Sequence, residues 1–157
     1  MSEWSVWRDI KDFGDLGKCC GVYKLRLTDQ AGYPSAIGRF LGHDQDGLLA
    51  IGQSVNLARR IKEFRDAYAG KRFLQHSVGD RLFLVRICQH TSLKLSNVRV
   101  QVAVMKLENK AVAQAAEENL LKTYFKGFGE LPPLNGNMPD TGGWDRVILG
   151  ESGQSPL

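Results

Sequence analysis

Residues 48–68 read LLAIGQSVNLARRIKEFRDAY, and the change of period inside this stretch decides the fold. Leu48 to Ile51 form a short apolar run of the length a buried strand needs. Gly52 then breaks the pattern, where a strand is expected to turn sharply into a helix. Ser54 and Asn56 are both candidate N-caps, because a side-chain oxygen can accept from an orphan backbone N–H of the first helical turn. From Leu57 the period becomes helical, with Leu57, Ile61, Phe64 and Tyr68 on one stripe. Arg59, Arg60, Lys62, Arg65, Lys71 and Arg72 crowd onto or just beyond this helix, against only Glu63 and Asp66. That surplus equals the formal net charge of the whole chain, +4, so the remainder is close to neutral.

Working outward, residues 21–27 alternate with period two and predict a half-buried strand. Residues 29–34 are turn-rich, residues 36–41 predict a second short strand, and residues 42–47 a loop. Upstream, Trp4, Trp7, Ile10 and Phe13 stand at helical spacing, predicting a short amphipathic helix whose tryptophans pack on the body. Downstream, Gly70 is a stop signal. Residues 76–79 read as a loop, while residues 81–88 and 98–105 read as strands. Residues 109–126 predict a helix with Val112, Ala116, Leu120 and Tyr124 on its apolar face. Residues 131–135 form an extended, docked segment, and residues 136–157 a loosely held tail with one apolar patch at Trp144 to Leu149. The expectation is one mixed α/β domain over residues 1–135 followed by that extension.

A chain of 157 residues is long enough to bury a core without staples. With 43% hydrophobic and 24% charged residues it has the balance of an ordinary globular protein. No apolar run approaches the ~18 residues of a membrane span, and no secretory leader is visible, so a cytoplasmic location is expected. Cys19, Cys20 and Cys88 suggest reduced thiols and have no zinc-ligand spacing. Phosphate loops of the P-loop type and nucleophile elbows are absent from the sequence.

What remains is a distributed set: Tyr23 on the first strand, Arg60 on the basic helix, Glu117 on the Ala-rich helix and Asn135 beyond it. Singly, each has an ordinary structural reading, as a core aromatic, a solvated charge or a turn residue. Together they resemble the signature of the GIY-YIG nucleases. Gly21-Val22-Tyr23 matches the first half. Ile51-Gly52, followed by Asn56-Leu57 and Arg60, matches the second. Glu117 before Leu120-Leu121, then Pro133-Leu134-Asn135, completes the order of motifs, so the resemblance covers residues 21 to about 135.

The resemblance implies a small central antiparallel sheet flanked by helices and a divalent-metal-dependent hydrolysis of phosphodiester bonds. Glu117 would hold Mg²⁺ or Mn²⁺, with water and phosphate oxygens completing the shell. Arg60 would meet the charge developing on the phosphate. Tyr23 would orient or deprotonate the attacking water, and Asn135 would fix the geometry. Nucleic acid, DNA in particular, is the implied partner, contacted by Arg59, Arg60, Lys62, Arg65, Lys71 and Arg72. The chain departs from the family at two positions: Ala50 stands where the second tyrosine falls, and Phe64 where a histidine is often found. Lys24, Lys62 and His76 are candidate substitutes, with no sequence argument to select one.

Three functions are therefore carried forward. The first is a metal-dependent endonuclease, slowed by a degenerate site. The second is a nucleic-acid-binding module on a decayed nuclease scaffold. A third is a protein-interaction adaptor that docks through Trp4, Trp7 and Trp144.

Overall fold

Strand β2 (Gly21–Thr28) is the spine of a computed structural model that describes residues 3–14, 16–71, 77–87 and 99–136. It pairs antiparallel with β5 (Leu48–Ser54) on one side and with β6 (Arg99–Lys106) on the other. The two-residue β1 (Arg8–Asp9) adds to the far edge of β6, giving the order β1-β6-β2-β5. A separate hairpin joins β3 (Ile37–Arg39) to β4 (Gly42–Asp44). Three helices complete a mixed α/β architecture: α1 (Leu57–Tyr68), α2 (Ser77–Ile87) and α3 (Lys110–Phe128).

Strand periodicity divides the core in two. Tyr23, Leu25, Ala50, Val102 and Val104 pack with Leu57, Ile61 and Phe64 of α1 and with Val78 and Leu82 of α2. Ile51 instead packs with Leu121 and Tyr124 of α3. Asn56 caps α1, its side chain accepting from the Arg59 N–H, while Ser54 Oγ accepts from the Asn56 N–H. Of the two candidate caps, Asn56 is therefore the one that fills the role, an interaction worth about 1 kcal/mol. Gly70, with φ +72°, follows the C-terminus of α1 as expected.

Several sequence expectations need correction. Residues 4–13 do not form a helix: Ser5 and Ile10 donate to the carbonyls of Val104 and Val100, so this segment runs along the sheet edge. Trp4 and Trp7 cover the cations of Lys24 and Arg26, at 4.4 and 4.2 Å from the ring centroids, while Ile10 enters the core. Residues 81–87 are helical, although their Leu, Phe, Val and Ile content suggested a strand. Val78 and Leu82 are buried four residues apart while Leu84 is half exposed, a pattern that period two cannot produce. Gly79 allows that helix its close approach, because a Cβ there would stand 2.7 Å from Ala67 Cβ. Residues 77–79, expected as loop, form its first turn. Gly52 lies inside β5 rather than at a strand-to-helix turn. Arg72, His76, Cys88 and the extension from residue 137, with Trp144, fall outside the described residues.

Candidate active site

Tyr23 projects from β2 toward α1 and is 3% exposed. Its ring crosses Gly52 on the neighbouring strand, where a Cβ would lie 2.4 Å from the Tyr23 hydroxyl. Only glycine admits this crossing. Gly21 is needed for a similar reason: a Cβ there would meet the Met105 carbonyl oxygen at 2.1 Å. The Tyr23 hydroxyl is hydrogen-bonded to Arg60. Burial pushes the phenol pKa up, and Arg60 offsets this only in part, so the hydroxyl is neutral near physiological pH.

Arg60 stands on the flank of α1, its side chain 33% exposed and its Nη1 3.6 Å from Glu63 Oε2. Arg59, one residue away but about 100° around the helix, is 70% exposed and also pairs with Glu63. Of the two adjacent arginines, Arg60 is therefore the one on the partly buried flank of the helix and Arg59 the one in solvent.

Glu117 comes from α3, on the stripe that carries Leu121 and Tyr124. It accepts the backbone N–H of Gln53 and lies within the field of Arg60. Burial pushes its carboxyl pKa up, against the lowering effects of that N–H and of the arginine. Tyr23, Arg60 and Glu117 thus meet at the outer edge of β5. Lys24 is turned by period two to the face opposite Tyr23, where its ammonium lies 4.4 Å from the Trp4 ring centroid.

Asn135 is near this group in a different capacity. Its amide pairs with both backbone groups of Ile51, and the Leu134 N–H donates to the Leu49 carbonyl at 2.9 Å. Residues 134–135 and Glu117 therefore occupy successive outward-facing groups of the edge strand. Gln53 is the contributor that sequence reasoning missed, since a backbone donor leaves no signal in residue identity. Its Oε1 is also buried without a hydrogen-bond partner among the described residues.

Both departures from the resemblance sit in the core. Ala50 and Phe64 are each 1% exposed, and Phe64 stacks on Tyr68 at a centroid distance of 6.1 Å. The basic residues do not form one surface. Lys62 and Arg65 lie about 160° and about 140° around α1 from Arg60, and with Arg59 they line a groove against Phe13, Gly14, Gly17 and Lys18. Lys71 is exposed beyond the helix end.

Among the described residues no group of three or more His, Cys, Asp or Glu side chains could hold a metal ion. A cation at Glu117 would take one protein carboxylate and fill its shell with other oxygens, for which the partnerless Gln53 Oε1 is a candidate. No described helix is long and apolar enough to cross a membrane. Comparison with protein-family models, with curated proteins and with solved structures finds no match.

Proposed function

We propose that this chain is a metal-dependent endonuclease with a GIY-YIG-like fold and site, hydrolysing phosphodiester bonds of DNA. The observation that carries the reading is the meeting of Tyr23, Arg60 and Glu117 at one strand edge, from elements far apart in the sequence. Partly exposed Arg60 would offer a planar fork of donors to the phosphate and meet its developing charge. Glu117 would anchor Mg²⁺ or Mn²⁺, which supplies Lewis-acid polarisation of the scissile phosphate. The neutral Tyr23 hydroxyl holds Arg60 in place and orients water by hydrogen bonding; its raised pKa argues against a role as proton acceptor. Asn135 supports the site from behind by fixing β5.

A second reading, a binding module without catalysis, is favoured by Ala50 and Phe64. Neither offers a proton-transfer group, and both are sealed in the core. Plasmid nicking in Mg²⁺ or Mn²⁺ separates the two. The nuclease reading expects nicking by the parent protein and none by Glu117→Ala. DNA binding with no nicking by either protein supports the binding module.

A further inference from the structure

We propose that the sheet face opposite Tyr23 is a docking site for a partner protein, which enters it with a segment carrying one acidic residue between large apolar ones. This goes beyond the nuclease reading and does not depend on it. Lys24 and Arg26 stand two residues apart on β2 and share that face. Trp4 lies over the first cation and Trp7 over the second. Ala103, which pairs with Lys24 in the β2–β6 register, is small enough to leave a hollow of about 260 Å³ among these four side chains. A second hollow, of about 370 Å³, shares Lys24, Asp46 and Leu48 with the first and extends to Ile51, Leu120 and Phe128 on the α3 side. The two form one trough, cationic at one end and apolar at the other.

The cations are prepared for an anion. Neither forms an ion pair among the described residues. Burial is the largest influence on Lys24 and lowers its pKa, as for an ammonium short of water and of counter-charge. Arg26 is held by Gln101, whose Oε1 accepts from Nε at 3.0 Å and from Nη2 at 2.8 Å. Cations fixed in this way lose little freedom on binding, and a carboxylate gains more from a partly desolvated charge than from an open one. The buried Asp44 beside the second hollow is already satisfied by the Asp46 and Leu48 N–H groups and the Tyr124 hydroxyl.

The setting favours a peptide over a nucleic-acid strand. A phosphodiester backbone carries a charge at every step and is matched by a row of cations. Here Lys24 and Arg26 give way to Leu48, Ile51, Leu120 and Phe128, and exposed Asp46 acts on both cations from the rim. One carboxylate fits between the pair, and a run of anions would meet Asp46. Tryptophan and arginine are also frequent anchors of protein interfaces, where bulky rings keep water from the contacts they surround.

The test starts from a random peptide library displayed on phage, panned against the full chain and counter-selected on its Lys24→Glu variant. Recovered peptides should share an acidic residue between apolar ones. The consensus peptide, end-capped and labelled, is then titrated by fluorescence anisotropy. Its affinity should fall at least about tenfold for Lys24→Glu, and replacing its acidic residue by lysine should restore binding to that variant alone. If Lys24→Glu melts early, Lys24→Gln takes its place in both steps, and the glutamine form of the peptide should then bind parent and variant equally. No enrichment over the variant, recovered peptides without a shared acidic residue, or undiminished affinity for both variants overturns the proposal. Displacement of the peptide by a single-stranded oligonucleotide more readily than by unlabelled peptide would give this face to nucleic acid and also overturn it. None of these readouts uses cleavage.

Discussion

Asn135 forms two hydrogen bonds with the main chain of Ile51, its Oδ1 accepting from the N–H at 3.0 Å and its Nδ2 donating to the carbonyl at 2.8 Å. One side-chain amide here does what a neighbouring strand would do. Asn135→Ala should lower unfolding free energy by about 1–3 kcal/mol, because two half-buried backbone groups lose their partners. Urea denaturation measures it. If the variant lost all cleavage while its stability stayed unchanged, Asn135 would belong to the chemistry and not to the scaffold.

Glu117 gives a pH-dependent expectation. Burial raises its folded pKa, so the native carboxyl holds its proton more tightly than the unfolded chain does. The contribution to stability is present below the unfolded value near 4.5 and is lost as pH rises through the folded pKa. Glu117→Gln should therefore melt higher than the parent at about pH 7, with the difference closing at about pH 4. If Glu117 anchors the cation as proposed, adding Mg²⁺ should raise the melting temperature of the parent and not of the variant, which lacks the anchoring charge. A Gln variant stabilised equally by Mg²⁺ would place the cation elsewhere.

Arg60 and Arg59 are adjacent and should behave differently. Removing the Arg60 fork should slow cleavage by about 10²–10³-fold, the usual cost of one preorganised donor to a developing charge. Arg59→Ala should leave the single-turnover rate nearly intact and reduce the salt slope of binding by about one. Equal losses of rate would argue for a diffuse electrostatic surface.

The crossing of Tyr23 over Gly52 leaves no room for a methyl group. Gly52→Ala should cost about 1–3 kcal/mol through overpacking and displace the Tyr23 hydroxyl from Arg60, lowering cleavage and melting temperature together. Ala50→Tyr should also destabilise, by a similar mechanism and without a gain in rate, because position 50 is sealed in the core. A well-folded Ala50→Tyr protein with faster nicking would show that this part of the core opens.

The basic helix, its cap and its buried stripe were legible because capping chemistry and the 3.6-residue period act locally. Strands β2, β5 and β6 were legible for a similar reason, whereas Tyr23, Arg60 and Glu117 stood out only through the resemblance to the GIY-YIG signature. Residues 81–87 misled because apolar, β-branched content says little about period, and the approach enabled by Gly79 is a tertiary effect. The N-terminal segment misled in the opposite direction. A 3–4 residue spacing of Trp4, Trp7 and Ile10 fits a helix, yet Ser5 and Ile10 are drawn into pairing with β6. The split of the cations around α1 follows from helical geometry, but the groove itself needs Lys18, which comes from another part of the chain.

The coverage of β5 also limits how molecules of this chain can aggregate. Leu134, Asn135 and Glu117 occupy the outward positions at Leu49, Ile51 and Gln53, so a foreign strand finds few open backbone groups there. At the other margin of the sheet stands the two-residue β1. A fibre grown by strand addition needs an accepting edge at both ends of every unit. With one margin stoppered and the other short, pairing between copies ends early, and proteolysis just before Leu134 would remove part of that protection.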